Sequence, residues 1–272
     1  KGLVSLDKMG FDPDTIRLWK KAYSSGNGIV LVTGPTGSGK STTLYATLTR
    51  INTVEEHIIT IEDPVERQLE GIIQGHVNER AGMTFAAALR SMLRQDPDVI
   101  MVGEMRDRET ADLAIRAALT GHLVFSTLHT NSAAASYTRL ADMGCDPFLL
   151  TTTIRAILAQ RLIRKLCDRC KVKYRPTEKD LKSIGLKQLN GFIYHANAKG
   201  CKSCGKDGYK GRAGLYELLI PNEAINEAVK NEASAEEVSR IAKDNKMRML
   251  EDAARTYVTQ GLTSVEEINR VL

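Results

Sequence analysis

Short apolar runs alternate with longer amphipathic stretches through the first half of the chain. The apolar runs are rich in β-branched residues and predict strands: IVLVTG, HIITIED, DVIMVGE and LVFSTL. The stretches between them repeat their apolar residues with helical spacing: STTLYATLTRI, TFAAALRSMLRQ and ETADLAIRAALTG. Strands that are apolar throughout and separated by helices are typical of a parallel sheet covered on both faces. We therefore expect an α/β fold with a mainly parallel sheet from Gly28 onward.

One helix is predicted before this pattern and another after it. Asp12 and Pro13 provide an N-cap and a first-turn proline, which predicts a helix over residues 13–23. The apolar segment PFLLTTTIRAILAQRLIRKL predicts a second, longer helix over residues 147–166. The residues before Asp12 are expected to be the end of a linker from an upstream domain.

The C-terminal region is predicted to be a small helical module. Ser234 with Glu237, and Thr263 with Glu266, have the spacing of capping boxes at the start of a helix. Gly261 is a residue at which a helix would end. These signals predict several short helices after residue 221.

Changes in composition divide the chain into four predicted parts. The residues between two cysteine pairs are basic and glycine-rich, unlike the apolar region before them and the helical region after them. The predicted ranges are 1–24 for the linker end and first helix, 25–160 for the α/β core, 161–215 for the cysteine module and 216–272 for the helical module.

Length and composition narrow the class of protein. With 272 residues, 42% of them hydrophobic, the chain can build a large core in one or two domains. No apolar run approaches the roughly 18 residues that a membrane span requires. The net charge of +5 and the aromatic content of 5% do not favour a nucleic-acid-binding surface. We expect a soluble protein and, because it opens with Lys1, a fragment of a longer one.

A phosphate-binding loop follows the first predicted strand and opens the next helix. Its segment GPTGSGKST has the pattern G-x-x-x-x-G-K-[ST], in which backbone N–H groups surround a phosphate. Lys40 would reach the β- and γ-phosphate oxygens of ATP, and the Ser41 hydroxyl would bind Mg²⁺. The candidate nucleotide-binding residues are Gly34, Pro35, Thr36, Gly37, Ser38, Gly39, Lys40, Ser41 and Thr42.

Carboxylates end two other predicted strands. Glu104 follows the strand Val99–Val102 and is the candidate for activating the attacking water. Glu62, Asp63 and Glu66 follow the strand IITI, and one of them, with Glu62 preferred, would lie near the Mg²⁺ ion or its waters. The alternative for this segment is a simple turn at Asp63-Pro64.

Two histidines flank the strand LVFSTL. His122 lies near its start and His129 near its end, where ligands of parallel sheets bind. An imidazole at that edge could donate a hydrogen bond to the γ-phosphate or the attacking water. A single histidine is more often structural, so the pair alone does not establish a site.

Four cysteines form two Cys-x-x-Cys pairs. Cys167 with Cys170, and Cys201 with Cys204, have the spacing of a four-thiolate structural zinc site, although the pairs are farther apart than in common zinc ribbons. Unlinked reduced thiols or two redox pairs are the alternatives, and the latter lack a thioredoxin-like context. Cys145 is expected to be a small buried residue rather than a ligand.

These motifs together resemble the secretion ATPase superfamily, specifically the ATPases of type II secretion and type IV pilus assembly. The resemblance rests on GPTGSGKSTT, IEDPVE, LRQDPDVIMVGEMRD and TGHLVFSTLHTN in this order, and it continues through LAQRLIRKLC and GYKGRAGLYELL. It implies a RecA-like P-loop NTPase motor domain that hydrolyses ATP with Mg²⁺. It also implies that Lys40, Ser41, Glu104 and Glu62 act at the nucleotide, and that His122 and His129 are the histidine-box residues.

The resemblance further implies a homo-hexameric motor on the cytoplasmic face of the inner membrane, acting on a membrane platform protein without binding lipid or nucleic acid directly. Arginines supplied by a neighbouring subunit would stabilise the γ-phosphate. The candidates are Arg80, Arg90, Arg94 and Arg106. Because the upstream domain of such motors is absent, we expect low activity from this chain alone. The alternative function is a zinc-containing, RecA-like, nucleic-acid-binding ATPase.

Overall fold

The computed structural model describes residues 2–272, which fall into two compact units. Unit 1 comprises residues 2–159 and Leu218–Met247, and unit 2 comprises Gln160–Glu217 and Arg248–Leu272. Strands β6 and β9, defined below, each run along the chain from one unit into the other.

The first part of the chain alternates helices and strands. The elements are α1 (Pro13–Tyr23), β1 (Gly28–Thr33), α2 (Lys40–Ile51), β2 (Ile58–Glu62), β3 (Ile73–His76), α3 (Phe85–Met92), β4 (Val99–Val102), α4 (Arg108–Leu119), β5 (Leu123–Leu128), α5 (Ala135–Asp142), α6 (Pro147–Thr153) and β6 (Ile154–Leu166). The predicted alternation of strands and helices from Gly28 to Leu128 is confirmed, with one additional strand, β3.

The remaining elements are shorter. They are β7 (Val172–Tyr174), α7 (Glu178–Ser183), β8 (Ile193–His195), β9 (Tyr209–Leu219), α8 (Glu223–Lys230), α9 (Ala235–Asp244), α10 (Leu250–Thr259) and α11 (Val265–Val271). Within unit 1, α8 packs against α6 and α9 packs against α5, whereas α10 and α11 belong to unit 2.

A seven-stranded sheet has the order β3-β2-β4-β5-β1-β6-β9. Strand β1 pairs in parallel with β5 and β6, β4 pairs in parallel with β5 and β2, and β2 pairs in parallel with β3. Every residue of β1, β2, β4 and β5 is buried, which is why most of their side chains are apolar and the few polar ones lie between the middle and the carboxyl end of the strands. The predicted mainly parallel α/β sheet is confirmed.

Helix α1 forms as the sequence predicts. Asp12 is its N-cap and accepts a hydrogen bond from the backbone N–H of Thr15 at 3.0 Å. Trp19 is fully buried, and its indole N–H donates to the Thr47 hydroxyl of α2 at 3.1 Å. The helix therefore packs against the helix that begins at the phosphate-binding loop.

The prediction of one long helix over residues 147–166 is wrong. Only Pro147–Thr153 is helical, and Ile154–Leu166 is the strand β6, whose first residues pair with β1. A central strand buried on both faces is as continuously apolar as a buried helix, so periodicity does not distinguish the two. No glycine or proline marks the change from helix to strand at Ile154.

The C-terminal caps differ in one detail from the prediction. Ser234 accepts a hydrogen bond from the N–H of Glu237, as expected, and Gly261 follows α10 with φ of +70°. The last helix is capped by Ser264, which accepts from the N–H of Glu267, so the predicted cap at Thr263 was wrong by one residue. Two hydroxyl residues in succession left this choice open.

Unit 2 carries a short antiparallel pair, β7 with β8, and a buried carboxylate. Glu267 is 1% exposed and accepts hydrogen bonds from Arg164 and Arg270. The Arg164 guanidinium also lies 4.1 Å from the centre of the Tyr209 ring. Among residues 2–272, no helix is both long and apolar enough to cross a lipid bilayer.

Candidate active site and metal centre

The phosphate-binding loop lies where β1 ends and α2 begins. Gly37 and Gly39 have φ of +77° and +89°, which glycine adopts without steric cost, and α2 starts at Lys40. The Lys40 ammonium donates hydrogen bonds to the carbonyl oxygens of Gly34 and Pro35, at 2.8 and 3.0 Å. The ammonium is thus held over the loop that the sequence identifies as the phosphate site.

The carboxyl ends of β1, β2, β4 and β5 meet at one edge of the sheet, because these strands are parallel. Thr33, at the end of β1, accepts a hydrogen bond from the N–H of Thr130 at 3.0 Å. This contact ties the residues that follow β5, including His129, to the phosphate-binding loop. The sequence-predicted residues on these strand ends are therefore close to one another.

Glu104 is at the centre of a charged cluster on this edge. Its carboxylate accepts a hydrogen bond from Arg106 Nε at 2.8 Å and lies 3.3 Å from His129 Nε2. Arg106 also donates to Asp63 at 3.4 Å, and its hydrogen bond to Glu104 raises its pKa. The Glu104 side chain keeps 21% of its surface exposed, so the carboxylate remains accessible to solvent.

Backbone contacts hold Glu104 in place. The N–H of Gly103 donates to Ile61 at 2.8 Å, and the N–H of Met105 donates to Thr127 at 3.1 Å. A Cβ at position 103 would lie 3.3 Å from the Glu62 Cα, so a glycine lets β4 end close to β2. Glu104 is consequently fixed between the ends of β2 and β5.

Glu66, rather than Glu62, contacts the residue expected to bind Mg²⁺. The Ser41 hydroxyl donates to Glu66 Oε1 at 3.3 Å. Glu62 is buried, 4% exposed, and accepts hydrogen bonds from Tyr45, Thr60 and Gln74. The sequence identified the acidic segment, but the preferred residue within it does not contact Ser41.

His122 lies at the opposite edge of the sheet from the phosphate-binding loop. It precedes β5, and its ring contacts the Ala117 carbonyl oxygen at 3.0 Å. The six residues of β5 lie between it and His129, so the two histidines are about 23 Å apart along an extended strand. It lines a cavity of about 630 Å³ at that far edge, so within one chain His122 is not part of the Glu104 cluster.

The four candidate arginines have different surroundings. Arg106 belongs to the Glu104 cluster, where it also lies 5.5 Å from the centre of the Phe85 ring. Arg90 forms an ion pair with Glu109, and Arg94 donates to Ser91 at 3.4 Å. Arg80 lies in an exposed turn. Of the four, Arg106 alone contacts a predicted catalytic residue within the described chain.

The four paired cysteines form a compact cluster in unit 2. Their sulfur atoms all lie within 4.8 Å of one another, with Cys167–Cys201, Cys170–Cys204 and Cys201–Cys204 separations of 3.7, 3.9 and 3.8 Å. Four thiolates at about 2.3 Å from a tetrahedral zinc ion would have sulfur separations of about 3.8 Å. The donor set and its spacing therefore fit structural zinc.

Backbone donors favour the thiolate form of one ligand. The N–H groups of Cys201 and Gly208 donate to Cys204 Sγ at 3.2 and 3.3 Å, and these bonds, together with contacts from the Cys201 and Cys170 thiols, lower the pKa of Cys204 to about 6. Cys145 lies outside the cluster and is 3% exposed, and burial raises its pKa to about 11. It is the buried thiol that the sequence predicts.

Three residues of the candidate site were not identified from the sequence. Tyr45, Gln74 and Thr60 all donate to Glu62. Tyr45 has the position of a buried residue on an amphipathic helix, and Gln74 lies on β3, which the sequence did not predict. No motif distinguishes these polar side chains from ordinary structural ones.

The chain matches a protein family along nearly its whole length. The family is described as "Type II/IV secretion system protein" and matches residues 1–270. The chain is 48% identical over 270 residues to "Type II secretion system protein E" of Pseudomonas aeruginosa, covering 99% of the chain and 53% of that protein. It is 46% identical over 268 residues to "Type IV pilus assembly ATPase PilB" of Thermus thermophilus, covering 98% of the chain and 30% of that protein. The chain thus spans about half or less of these relatives.

Solved structures share the fold. The pilus retraction motor PilT with bound ADP has a TM-score of 0.72 and 32% identity, covering 99% of this chain and 67% of that one. The ATPase DotB of Legionella pneumophila has a TM-score of 0.70 and 26% identity, covering 98% of this chain and 64% of that one.

Proposed function

This chain belongs to the family of type II/IV secretion system proteins, and from that premise we propose that it hydrolyses ATP to drive type IV pilus assembly or type II protein secretion. The observation that supports hydrolysis is the arrangement of Lys40, Ser41 and Glu104 on one edge of a parallel sheet. Phosphate-binding loops of this kind place the γ-phosphate beside the neighbouring strand ends. We propose that the core is RecA-like and that it binds the nucleotide at that edge of the sheet.

In the proposed reaction, some residues of this chain bind the nucleotide and others activate the attacking water. The loop N–H groups and Lys40 would bind the phosphates, and Ser41 would hold Mg²⁺, which would neutralise phosphate charge. Glu104 accepts a hydrogen bond from the attacking water and orients it. His129, whose Nε2 lies 3.3 Å from Glu104, would respond to the γ-phosphate through that contact.

We propose that the full protein acts as a ring of six subunits at the cytoplasmic face of the inner membrane, through a platform protein. The names of the relatives, which are secretion and pilus-assembly proteins, support the part of this proposal that concerns secretion or pilus assembly, and the ring and the platform protein follow from the resemblance of the motifs. Arg106 is already paired with Glu104 and Asp63 in this chain, so charge on the γ-phosphate would be stabilised by an arginine of a neighbouring subunit. Low turnover by the isolated chain follows from this arrangement.

The cysteine cluster is proposed to bind one zinc ion for structure rather than catalysis. Four thiolates complete a tetrahedral shell and leave no position for a substrate. The segment that follows Cys167 has few large apolar residues, so the ion would supply much of its folding energy. We propose that this region presents a surface to the membrane platform protein.

The test of the reaction is ATP turnover by the chain fused to a hexamer-forming tag. We expect turnover to rise on hexamer formation, to be lost in Lys40→Ala with loss of nucleotide binding, and to be lost in Glu104→Gln with binding retained. Glu236→Gln, an exposed carboxylate on α9, is the matched control and should leave turnover unchanged. Full turnover in Glu104→Gln would refute the assigned role, and stimulation by DNA would favour the nucleic-acid alternative.

A further inference from the structure

The region around the two cysteine pairs carries the positive charge of the chain. Residues 167–212 contain twelve lysines and arginines against four aspartates and glutamates. The whole chain has a net charge of only +5, so the remainder is slightly acidic. Such an uneven distribution of charge affects which partners approach a surface and how fast. An anionic partner would bind where the fold brings several of these cations together.

The antiparallel pair of β7 and β8 brings two of these cations to one face. Lys173 pairs with Tyr194 in the register of the two strands. Arg175 and Phe192 lie two residues from them, and side chains two residues apart share a face of a strand. Ile193, on the other face, is fully buried. Lys173, Arg175 and Phe192 are exposed and form what we call the β7–β8 face.

Phe192 holds the two cations close together. The Lys173 ammonium lies 4.3 Å from the centre of the Phe192 ring, and the Arg175 guanidinium lies 5.6 Å from the same centre, within the range of cation–π attraction. The two positive charges therefore lie within about 10 Å of each other, where like charges repel. Among residues 2–272, neither cation forms an ion pair with a carboxylate. An anion bound beside the ring would relieve the repulsion.

A cavity of about 400 Å³ adjoins this face. Arg175 and Phe192 line it together with the apolar side chains of Pro176, Leu181 and Leu189. Its volume is in the range of ligand pockets, and it offers an apolar lining next to a guanidinium. A carboxylate could pair with Arg175 in the bidentate geometry that guanidinium groups favour, while a neighbouring apolar side chain fills the cavity.

We propose that the β7–β8 face and this cavity are the docking site for an acidic segment of the membrane platform protein, one with an apolar side chain beside its carboxylates. The inference rests on the proposed function of this region, and it specifies the residues of the surface and the segment that they accept. Cys170 precedes β7 and Cys201 follows β8, so the cysteine cluster would hold the two strands that carry the face.

Two other anionic partners fit these residues less well. Single-stranded nucleic acid binds by stacking successive bases on aromatic rings. Here the Lys171 ammonium lies 4.9 Å from the centre of the Tyr194 ring, and Tyr174 packs edge-on against His195, so the neighbouring rings already have partners. An anionic lipid headgroup would pair with the cations but leave the apolar cavity unfilled.

The experiment measures, by fluorescence anisotropy, the binding of a fluorescein-labelled peptide rich in glutamate and leucine to the full chain purified with zinc. Lys173→Gln combined with Arg175→Gln should weaken binding by about tenfold or more, because charge-assisted hydrogen bonds are lost. Phe192→Ala should weaken it by about fivefold, since the ring holds both cations and lines the cavity. Changing the glutamates of the peptide to glutamine, or its leucines to alanine, should each weaken binding to the parent chain.

Lys179→Gln combined with Lys182→Gln is the matched control. It removes the same charge from two exposed lysines of α7 in the same region, so peptide binding should stay nearly unchanged. Zinc content and thermal unfolding of each variant separate loss of the site from loss of structure. If Phe192→Ala loses zinc, Phe192→Leu replaces it, because leucine keeps an apolar wall but lacks the ring.

The outcomes are distinct. Weakening in the variants of the β7–β8 face, with the control unchanged, supports the proposal. Equal weakening in the control, no preference for the glutamate peptide over the glutamine peptide, or no binding by the parent chain overturns it. Binding of phosphatidylglycerol vesicles or oligodeoxythymidylate that depends on this face, in place of the peptide, overturns it as well. ATP turnover by the tagged hexamer tests the proposed motor separately, because a chain without turnover fails as a motor whatever its affinity for the peptide.

Discussion

Glu267 shows how a single buried charge can make stability depend on pH. Burial alone would raise its pKa, but hydrogen bonds from Arg270 and Arg164 outweigh that effect and lower the pKa from 4.5 to about 2. A carboxyl with a lowered pKa stabilises the folded state above its ordinary pKa, and this contribution is lost as pH falls through the folded value. The relevant window is therefore between pH 4.5 and about 2.

We expect Glu267→Gln to lower the free energy of unfolding at neutral pH by about 3 kcal/mol, which corresponds to the shift in pKa. The variant should also lack the part of the loss of stability that protonation of Glu267 is expected to cause in the parent between pH 4.5 and about 2. Urea unfolding across that pH range measures both effects. Glu236→Gln is the exposed control, and an equal loss of stability in it would contradict this assignment.

The sequence identified the site residues that belong to a recognisable motif or end a predicted strand. It did not identify the residues that only tertiary structure brings to the site. Lys40, Ser41 and Glu104 have fixed places in a motif or at a strand end, so their convergence followed from parallel strands. Tyr45 and Glu66 are brought together by a loop conformation that no local pattern encodes. His122 was placed with the site because its sequence neighbourhood resembles a motif, although its end of β5 faces away from the loop.

At the scale of elements, one buried hydroxyl, that of Thr47, forms a hydrogen bond between α1 and α2. Thr47 accepts from the Trp19 indole at 3.1 Å and donates to the Thr43 carbonyl oxygen at 2.8 Å. Replacing Thr47 with Val conserves the shape but leaves the buried indole N–H without an acceptor. The two helices would still pack, at a cost in stability.

Thr47→Val is expected to destabilise the chain by about 2 kcal/mol, the usual penalty for an unsatisfied buried donor. Circular dichroism during urea unfolding measures the change. Thr49→Val, an exposed position on the same helix, should change stability by less than about 0.5 kcal/mol. Equal effects at the two positions would show that the hydroxyl of Thr47 does not satisfy the indole.

The elements that were predicted correctly have clear boundaries, and those that were missed do not. Strands β1, β2, β4 and β5 are short and bounded by turn residues, so their type was evident. Strand β6 follows α6 without a break, and β3 is an edge strand with little apolar content. Tertiary pairing with β1 decided the structure of the start of β6, and a single sequence does not contain that information.

At the scale of the whole molecule, the border between the two compact units lies between Ala159 and Gln160, before the change in composition that begins at Cys167. The C-terminal helices, which follow one another in sequence, are divided between the two units. The sequence predicted a single module because the capping signals of these helices follow one another without an intervening strand or linker. Which unit a short amphipathic helix joins depends on the surface available to its apolar face.

Removal of zinc with a chelator is expected to affect unit 2 and spare the nucleotide site. Amide hydrogen exchange should rise across residues 167–208, because the metal supplies folding energy there, while ADP affinity stays unchanged. Cys201→Ser with Cys204→Ser should reproduce the effect without chelator. Cys145→Ala is the control that retains zinc, and full protection in the metal-free chain would contradict a structural role for the ion.

The chain contains one tryptophan, Trp19 of α1, and its side chain is fully buried. Its fluorescence therefore comes from a single, water-free environment rather than from a mixture. Because its indole N–H donates a hydrogen bond to Thr47 of α2, a movement of α2, which begins at Lys40, changes that environment directly. The molecule thus has a built-in optical reporter of its phosphate-binding helix, readable without a label.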